Sequence, residues 1–298
     1  MSEENLPAKE IAKVTNNFIN KVSKAIGAVY EPFHLTRMAK AEAKAKTIRV
    51  QGDVEVTDIQ LRAERRWLHE EMRNQENIEE ITRKAIPDLR PDARPEAIDD
   101  DWMTAFFDYA KKVSDDQMQS LWAKILAGQA NAPGSFKKRV LQSVALLEKE
   151  DAELFTSLCR FCVNIEGLTP IIFSLGDETP YSKEKLDFEA FSHLDTVGLV
   201  QFNSFTGFVR QGLPRQFIIG YGEQRYSVQL PDNKKDMPIG LVLLTDVGRQ
   251  LAPLSNPKVV PGFDDYFTVE WKREGIAVIA EHGLTSHVIA PEREGGAS

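Results

Sequence analysis

The sequence predicts a mainly α fold with a smaller α+β part: a helical bundle with an N-terminal amphipathic arm, followed by an irregular winged-helix-like domain. Two observations carry this expectation. Up to about residue 165, apolar residues recur at steps of three and four, the period of a helix with one buried face. Beyond it, short β-prone runs separated by turn residues replace that period. The chain has 298 residues, 42% hydrophobic and 28% charged, an ordinary globular composition with room for more than one domain. The expected divisions are a basic amphipathic helical arm over 1–50, a long polar helix over 51–90, a bundle core over 96–165, a winged-helix-like α+β domain over 166–282 and a loose tail over 283–298.

The arm opens with a helix expected over 8–30, because Ile11, Val14, Phe18, Val22, Ile26 and Val29 form one stripe. Pro32 stops it, and an Ala/Lys/Glu helix without a large apolar face is expected over 38–46. A break at Gln51-Gly52-Asp53 precedes a helix over 57–86, whose sparse apolar positions (Leu61, Leu68, Met72, Ile78, Ile81) suit a coiled-coil-like arm or one narrow seam. Such a helix reads as too polar to be central. Prolines at 87, 91 and 95 mark a linker.

Four helices follow, over 98–113, 115–126, 135–147 and 149–163. Ser114 and Gln117 have capping-box spacing, Gly128 is the expected stop of the second helix, and Ser135 the expected N-cap of the third. Trp102, Phe106, Phe107, Leu121, Trp122, Ile125, Leu126, Val140, Leu141, Val144, Leu147, Leu154, Phe155 and Leu158 lie at helical intervals and form the expected core. In the last part, strands are expected over 171–175, 199–202, 217–221, 226–230 and 239–244. Helices are expected over 182–196 and from Thr245. Helix, hairpin and short helix is the chain order of a winged helix, with a hairpin longer than usual.

The net charge of -8 hides an asymmetry. Between Lys9 and Arg49, nine basic residues face three acidic ones, whereas fifteen acidic residues face eight basic ones between Gln51 and Asp101. The acidic stretch is a ready partner for the basic arm, within the chain or between chains. Lys13, Phe18, Lys21, Val22, Lys24 and Ile26 are therefore the candidate surface- or partner-binding residues: an apolar stripe flanked by lysines, suited to a protein partner, a second copy or an anionic membrane surface. Arg210, Arg215 and Arg225 are the candidate nucleic-acid contacts in the hairpin region. DNA is disfavoured by charge, because the helix that would enter the groove carries Lys183 and Lys185 against Glu184, Asp187, Glu189 and Asp195.

No catalytic, cofactor or metal residue is assigned. GxSxG, HExxH, GxxxxGK and GxGxxG motifs do not occur in the sequence. Cys159-Arg160-Phe161-Cys162 is a CxxC at a helix end, and zinc there would need two further ligands, with His193, His282 and His287 downstream. Buried packing thiols are the expected state. Acidic Asp99-Asp100-Asp101 reads as a helix N-terminus complementing the backbone dipole. No run approaches the length of apolar residues that crosses a bilayer, so the expected location is the cytoplasm, extending to the inner face of the membrane if the arm binds lipid.

The block Leu121-Trp122-Ala123-Lys124-Ile125-Leu126-Ala127-Gly128, followed by Pro133-Gly134-Ser135 and Arg139-Val140-Leu141, resembles a bacterial domain-of-unknown-function family. Ile26 to Pro32, Ala39 to Ala43 and Arg73 to Ile78 look like its other shared blocks, with residues 18–160 the better-matching part. The resemblance implies a role in bacterial anti-phage defence or with mobile elements and carries over no catalytic residue. The expected function is thus a non-enzymatic protein-interaction or effector protein, oligomeric or bound to a protein partner. The alternatives are a winged-helix DNA-binding regulator and a membrane-active effector acting through the N-terminal helix.

Overall fold

A computed structural model describes residues 6–27, 58–232 and 236–281. It is mixed α and β, and the chain divides into two compact units, Met1–Ala152 and Glu153–Ser298. The helix expected over 38–46, the break at 51–53, the whole of the tail over 283–298, His282 and His287 lie outside the described residues.

In the first unit, helix α1 (Leu6–Ile26) buries Val14, Phe18 and Val22. It packs on helix α3 (Asp100–Ala110) and on a 3-10 turn at Pro95–Ala97. It ends earlier than the apolar stripe suggests because Gly27 takes a left-handed φ of 66°. Helix α2 (Asp58–Ala85) departs only in its second half from the expectation of a helix too polar to be central. Its second half buries Ile78, Ile81 and Ala85, and its buried polar residues are satisfied in place. The Asn77 amide donates to the Lys111 carbonyl (2.8 Å) and the Ser114 hydroxyl (3.2 Å) and accepts from Gln119 (3.2 Å). Lys84 Nζ closes the network on Gln119 Oε1 and the Asp116 carboxylate.

The proline-rich stretch is likewise no free linker. Leu89, Ala93 and Pro95 are buried, Arg94 donates its N–H to the Ala130 carbonyl (2.8 Å), and Asn131 bridges the Asp88 carbonyl and the Arg90 N–H. Helix α4 (Asp116–Asn131) is capped by Asp115, whose carboxylate accepts from the N–H groups of Gln117 and Met118, rather than by Ser114. It also runs through Gly128. A Cβ at 128 would lie 2.7 Å from the Phe136 ring, so glycine here makes room for a neighbour and does not stop the helix. Helix α5 (Lys138–Leu146) begins later than Ser135, whose hydroxyl donates instead to the Gly128 carbonyl. Trp102, Phe106 and Trp122 form the aromatic centre, with Phe106 5.3 Å from Trp102 and 5.2 Å from Trp122. Of the expected core, Leu121, Leu147 and Leu154 are only half-buried.

Helix α6 (Lys149–Cys159) crosses the division, so Phe155 and Leu158 belong to the second unit. There, strands β1 (Cys162–Asn164), β2 (Leu168–Pro170), β5 (Gln216–Tyr221), β6 (Gln224–Gln229) and β9 (Ala277–Ala280) form an antiparallel sheet in the order β2-β1-β5-β6-β9. The segment expected as a strand over 171–175 contributes only a bridge from Ile172 to Gly240. Strands β3 (Val200–Phe202) and β8 (Val242–Leu244) pair, as do β4 (Phe208–Arg210) and β7 (Met237–Gly240), so three strand pairs nest along one excursion of the chain. The single strand expected over 239–244 is split because Gly240 takes φ 100°, with Ile172 so close that a Cβ would meet its carbonyl oxygen at 1.9 Å.

Helix α7 (Phe188–Thr196) is shorter than expected, since Lys185 adopts a left-handed backbone and Asp187 caps the helix. Helix α8 (Asp246–Leu251) starts on a Thr245 cap. Helix α9 (Phe263–Arg273) is not among the expected elements, yet Phe263, Phe267 and Trp271 centre the second core. They stack edge-on against Phe161, Tyr221, Tyr226 and Phe173.

Candidate interaction surface

The N-terminal candidates separate by burial. Phe18 and Val22 are fully buried, Ile26 is half-buried, and Lys13 remains exposed. Lys21 and Lys24 are both committed to Asp100, at 2.6 and 3.1 Å. Their N–H donation, that of Lys21 foremost, holds the Asp100 carboxyl below the usual carboxylate range. The stripe that would enter a bilayer therefore faces α3 instead. In the described part of the arm, these two lysines join α1 to the acidic start of α3.

The hairpin arginines are not brought together. Arg210 pairs with Glu166 at 3.1 Å, Arg215 with Asp232, and Arg225 with Glu281 at 3.7 Å. Arg215 and Arg225 lie at opposite ends of the β5–β6 pair. Those strands are the interior of the sheet, flanked by β1 and β9, and do not form a free wing. Cys159 and Cys162 are buried free thiols. Hydrogen bonding to Cys159, then burial, pushes the Cys162 thiol well up, the opposite of an activated nucleophile. Among the described residues no cluster of three His, Cys, Asp or Glu could hold a metal, and no described helix is long and apolar enough to cross a membrane.

What the sequence reading passed over is a groove of about 590 Å³ between α2 and α3. Trp67, Glu70 and Glu71 of α2 form one wall; Asp108 and Tyr109 of α3, with Lys111 just past its end, stand on the other. Trp67 is 66% exposed, and Ile59, two turns earlier, is 70% exposed. On a helical wheel Ile59, Ala63, Trp67, Glu70 and Asn74 continue the stripe that further on becomes Asn77, Ile78 and Ile81 against α4. The core-facing side of α2 thus extends four turns past its own core. A tryptophan inside a run of arginines and glutamates, eight residues after an isoleucine, was the available signal.

A family model described as "Protein of unknown function (DUF2806)" matches residues 61–267. The chain belongs to this family. The DUF2806 match begins within α2 and ends within α9, so it includes the groove and leaves α1 outside. The LW block and Pro133-Gly134-Ser135 lie within it; the blocks at 26–32 and 39–43 do not. The match also reaches much further along the chain than residue 160. No curated protein and no solved structure matches the chain. Within the DUF2806 part, the LW block serves packing: Trp122 meets Phe106, Gly128 admits Phe136, and the Phe136 carbonyl accepts the Trp102 indole N–H at 2.8 Å.

Proposed function

We propose that the chain is a non-enzymatic protein-interaction or effector protein, acting by contact with another macromolecule, with bacterial anti-phage defence as the setting its family resemblance suggests. The observation that carries this reading is Trp67, held exposed on the lip of the α2–α3 groove. Exposed tryptophans beside a groove are the residues that anchor protein contacts, because a large rigid ring loses little entropy on burial and removes much apolar surface from water. The helix, nested hairpin and helix of the second unit are read as a winged-helix derivative used for protein contact. The carboxylate partners of Arg210, Arg215 and Arg225 support protein over nucleic acid, since each arginine would have to leave a carboxylate to meet phosphate.

The test is a photo-crosslinking residue in place of Ile59, in the chain as expressed in its host. Adducts that form at this position and disappear when Trp67→Glu is added support a contact surface on α2. A position that yields no adduct, or adducts indifferent to Trp67→Glu, overturns it.

A further inference from the structure

We infer that the uncovered face of α2 takes a second copy of this chain, the two helices lying antiparallel about a two-fold axis at the level of Leu68. This rests on the reading of α2 as a contact surface and names its partner. Residues 58–60, 62–67, 69–71 and 73 are all exposed, so the first four turns of α2 form a helix with little of the described part of its unit against it. A single helix of that length is marginal in water, and packing of an apolar stripe is what ordinarily supplies its stability. The stripe on offer is Ile59, Ala63 and Trp67, continuous with the stripe that α4 already covers further along.

The charges on this face decide the occupant. Arg66 and Glu70 are four residues apart, both exposed, and neither is engaged in an ion pair or side-chain hydrogen bond among the described residues. Opposite charges at this spacing on one helix face are self-complementary under a two-fold axis. Each copy sets its Arg66 opposite the partner's Glu70 and its Glu70 opposite the partner's Arg66, with the two Trp67 rings between them. A polyanion would be repelled by Glu70 and Glu71, and a basic peptide by Arg62, Arg65 and Arg66; a second copy satisfies both signs. Four turns of helix make a small interface, so the pair dissociates on dilution.

Light scattering across a concentration series tests this with the full chain. The wild type is expected to move from the mass of one chain, 33.6 kDa, towards twice that as concentration rises. Arg66→Glu and Glu70→Arg are each expected to remain single chains at the highest concentration, with unchanged melting temperature because both sites are exposed. An equimolar mixture of the two variants is expected to pair again. A wild type that stays monomeric throughout, a dimer that survives either reversal, or variants that do not pair on mixing overturns the inference. If the wild type is monomeric but Ile59 adducts still depend on Trp67, self-pairing is lost and the contact surface stands.

Discussion

Lys21 reaches the Asp100 carboxylate at 2.6 Å from a side chain only 11% exposed, and that contact fastens the basic N-terminal helix to the acidic start of α3. Phe18 and Val22, on the same helix, are closed off as a result. Of the basic stretch, Lys21 and Lys24 meet acidic chain within the same unit.

Reversing these lysines should therefore act on folding. Lys13→Glu, at an exposed site, is expected to leave the melting temperature unchanged, whereas Lys21→Glu lowers it by placing like charges together. Phe18→Ala should lower it further, with a loss of about 3–5 kcal/mol for a fully buried ring. Thermal unfolding of the three variants decides the matter. If all three melt alike, α1 is not docked in solution.

Gly128→Ala should destabilise the first unit although alanine is the better helix former by about 1 kcal/mol. The added methyl meets Phe136 at 2.7 Å, and Phe136 cannot easily retreat, since its N–H is held by Gln129 and its carbonyl by Trp102. Overpacking of this kind costs about 1–3 kcal/mol. Pairing Gly128→Ala with Phe136→Leu should recover part of the loss in denaturant unfolding. A stabilised single variant would show that the ring moves freely.

The helical half of the fold was legible because Trp102, Phe106, Trp122 and Val140 fall on one period and are buried on it. Glycine was harder to read. Gly128 as a stop and Gly128 as a space for Phe136 look alike in a linear sequence, and only the neighbour distinguishes them. Polarity misled in the same way: Asn74 and Asn77 argue for an outer helix until their partners are known, and those partners lie more than thirty positions away in the case of Asn77. The α9 stripe Phe263, Phe267, Trp271 has the regular spacing that would have revealed it, but a neighbouring run of Pro, Gly and Asp conceals its start. In the candidate surface, Phe18 and Val22 carried the strongest amphipathic signal because a helix docked on its own body and one docked on a partner share a pattern. Trp67 was the quieter signal and the exposed one.

Asn77→Ala should cost about 1–3 kcal/mol, more than its size suggests, because it takes the amide donor from the Lys111 carbonyl and one of two acceptors from the buried Gln119 amide, which keeps only the Val113 carbonyl (3.0 Å). Arg73→Ala, four residues earlier and exposed, serves as the control and should be near neutral. Equal stability of the two variants in urea unfolding would mean that water replaces Asn77 without loss.

The two units should fail at opposite ends of the pH scale. In the first, Asp100 and Asp116 are held low by hydrogen bonds from Lys21 and Lys84, and Glu80 by its bond to Arg83. A carboxylate depressed in the folded chain adds stability that is complete above its unfolded value of about 4 and is lost as pH falls through the folded value. In the second, burial raises Tyr181, Tyr221 and Tyr226, the last also through its hydrogen bond to Asp264 (2.8 Å), and Cys162 is raised by Cys159 and by burial. Groups raised on folding add stability that is complete below their unfolded values, about 8.5 for the thiol and 10 for the phenols, and is lost as pH climbs. Trp271 lies in the second unit and Trp67, Trp102 and Trp122 in the first, so fluorescence of wild type and Trp271→Phe separates them. The Trp271 signal should change first on alkaline titration, together with cooperative tyrosinate absorbance, and the other three should change first in acid. Both units unfolding together at high pH would show that the buried phenols do not set the alkaline limit.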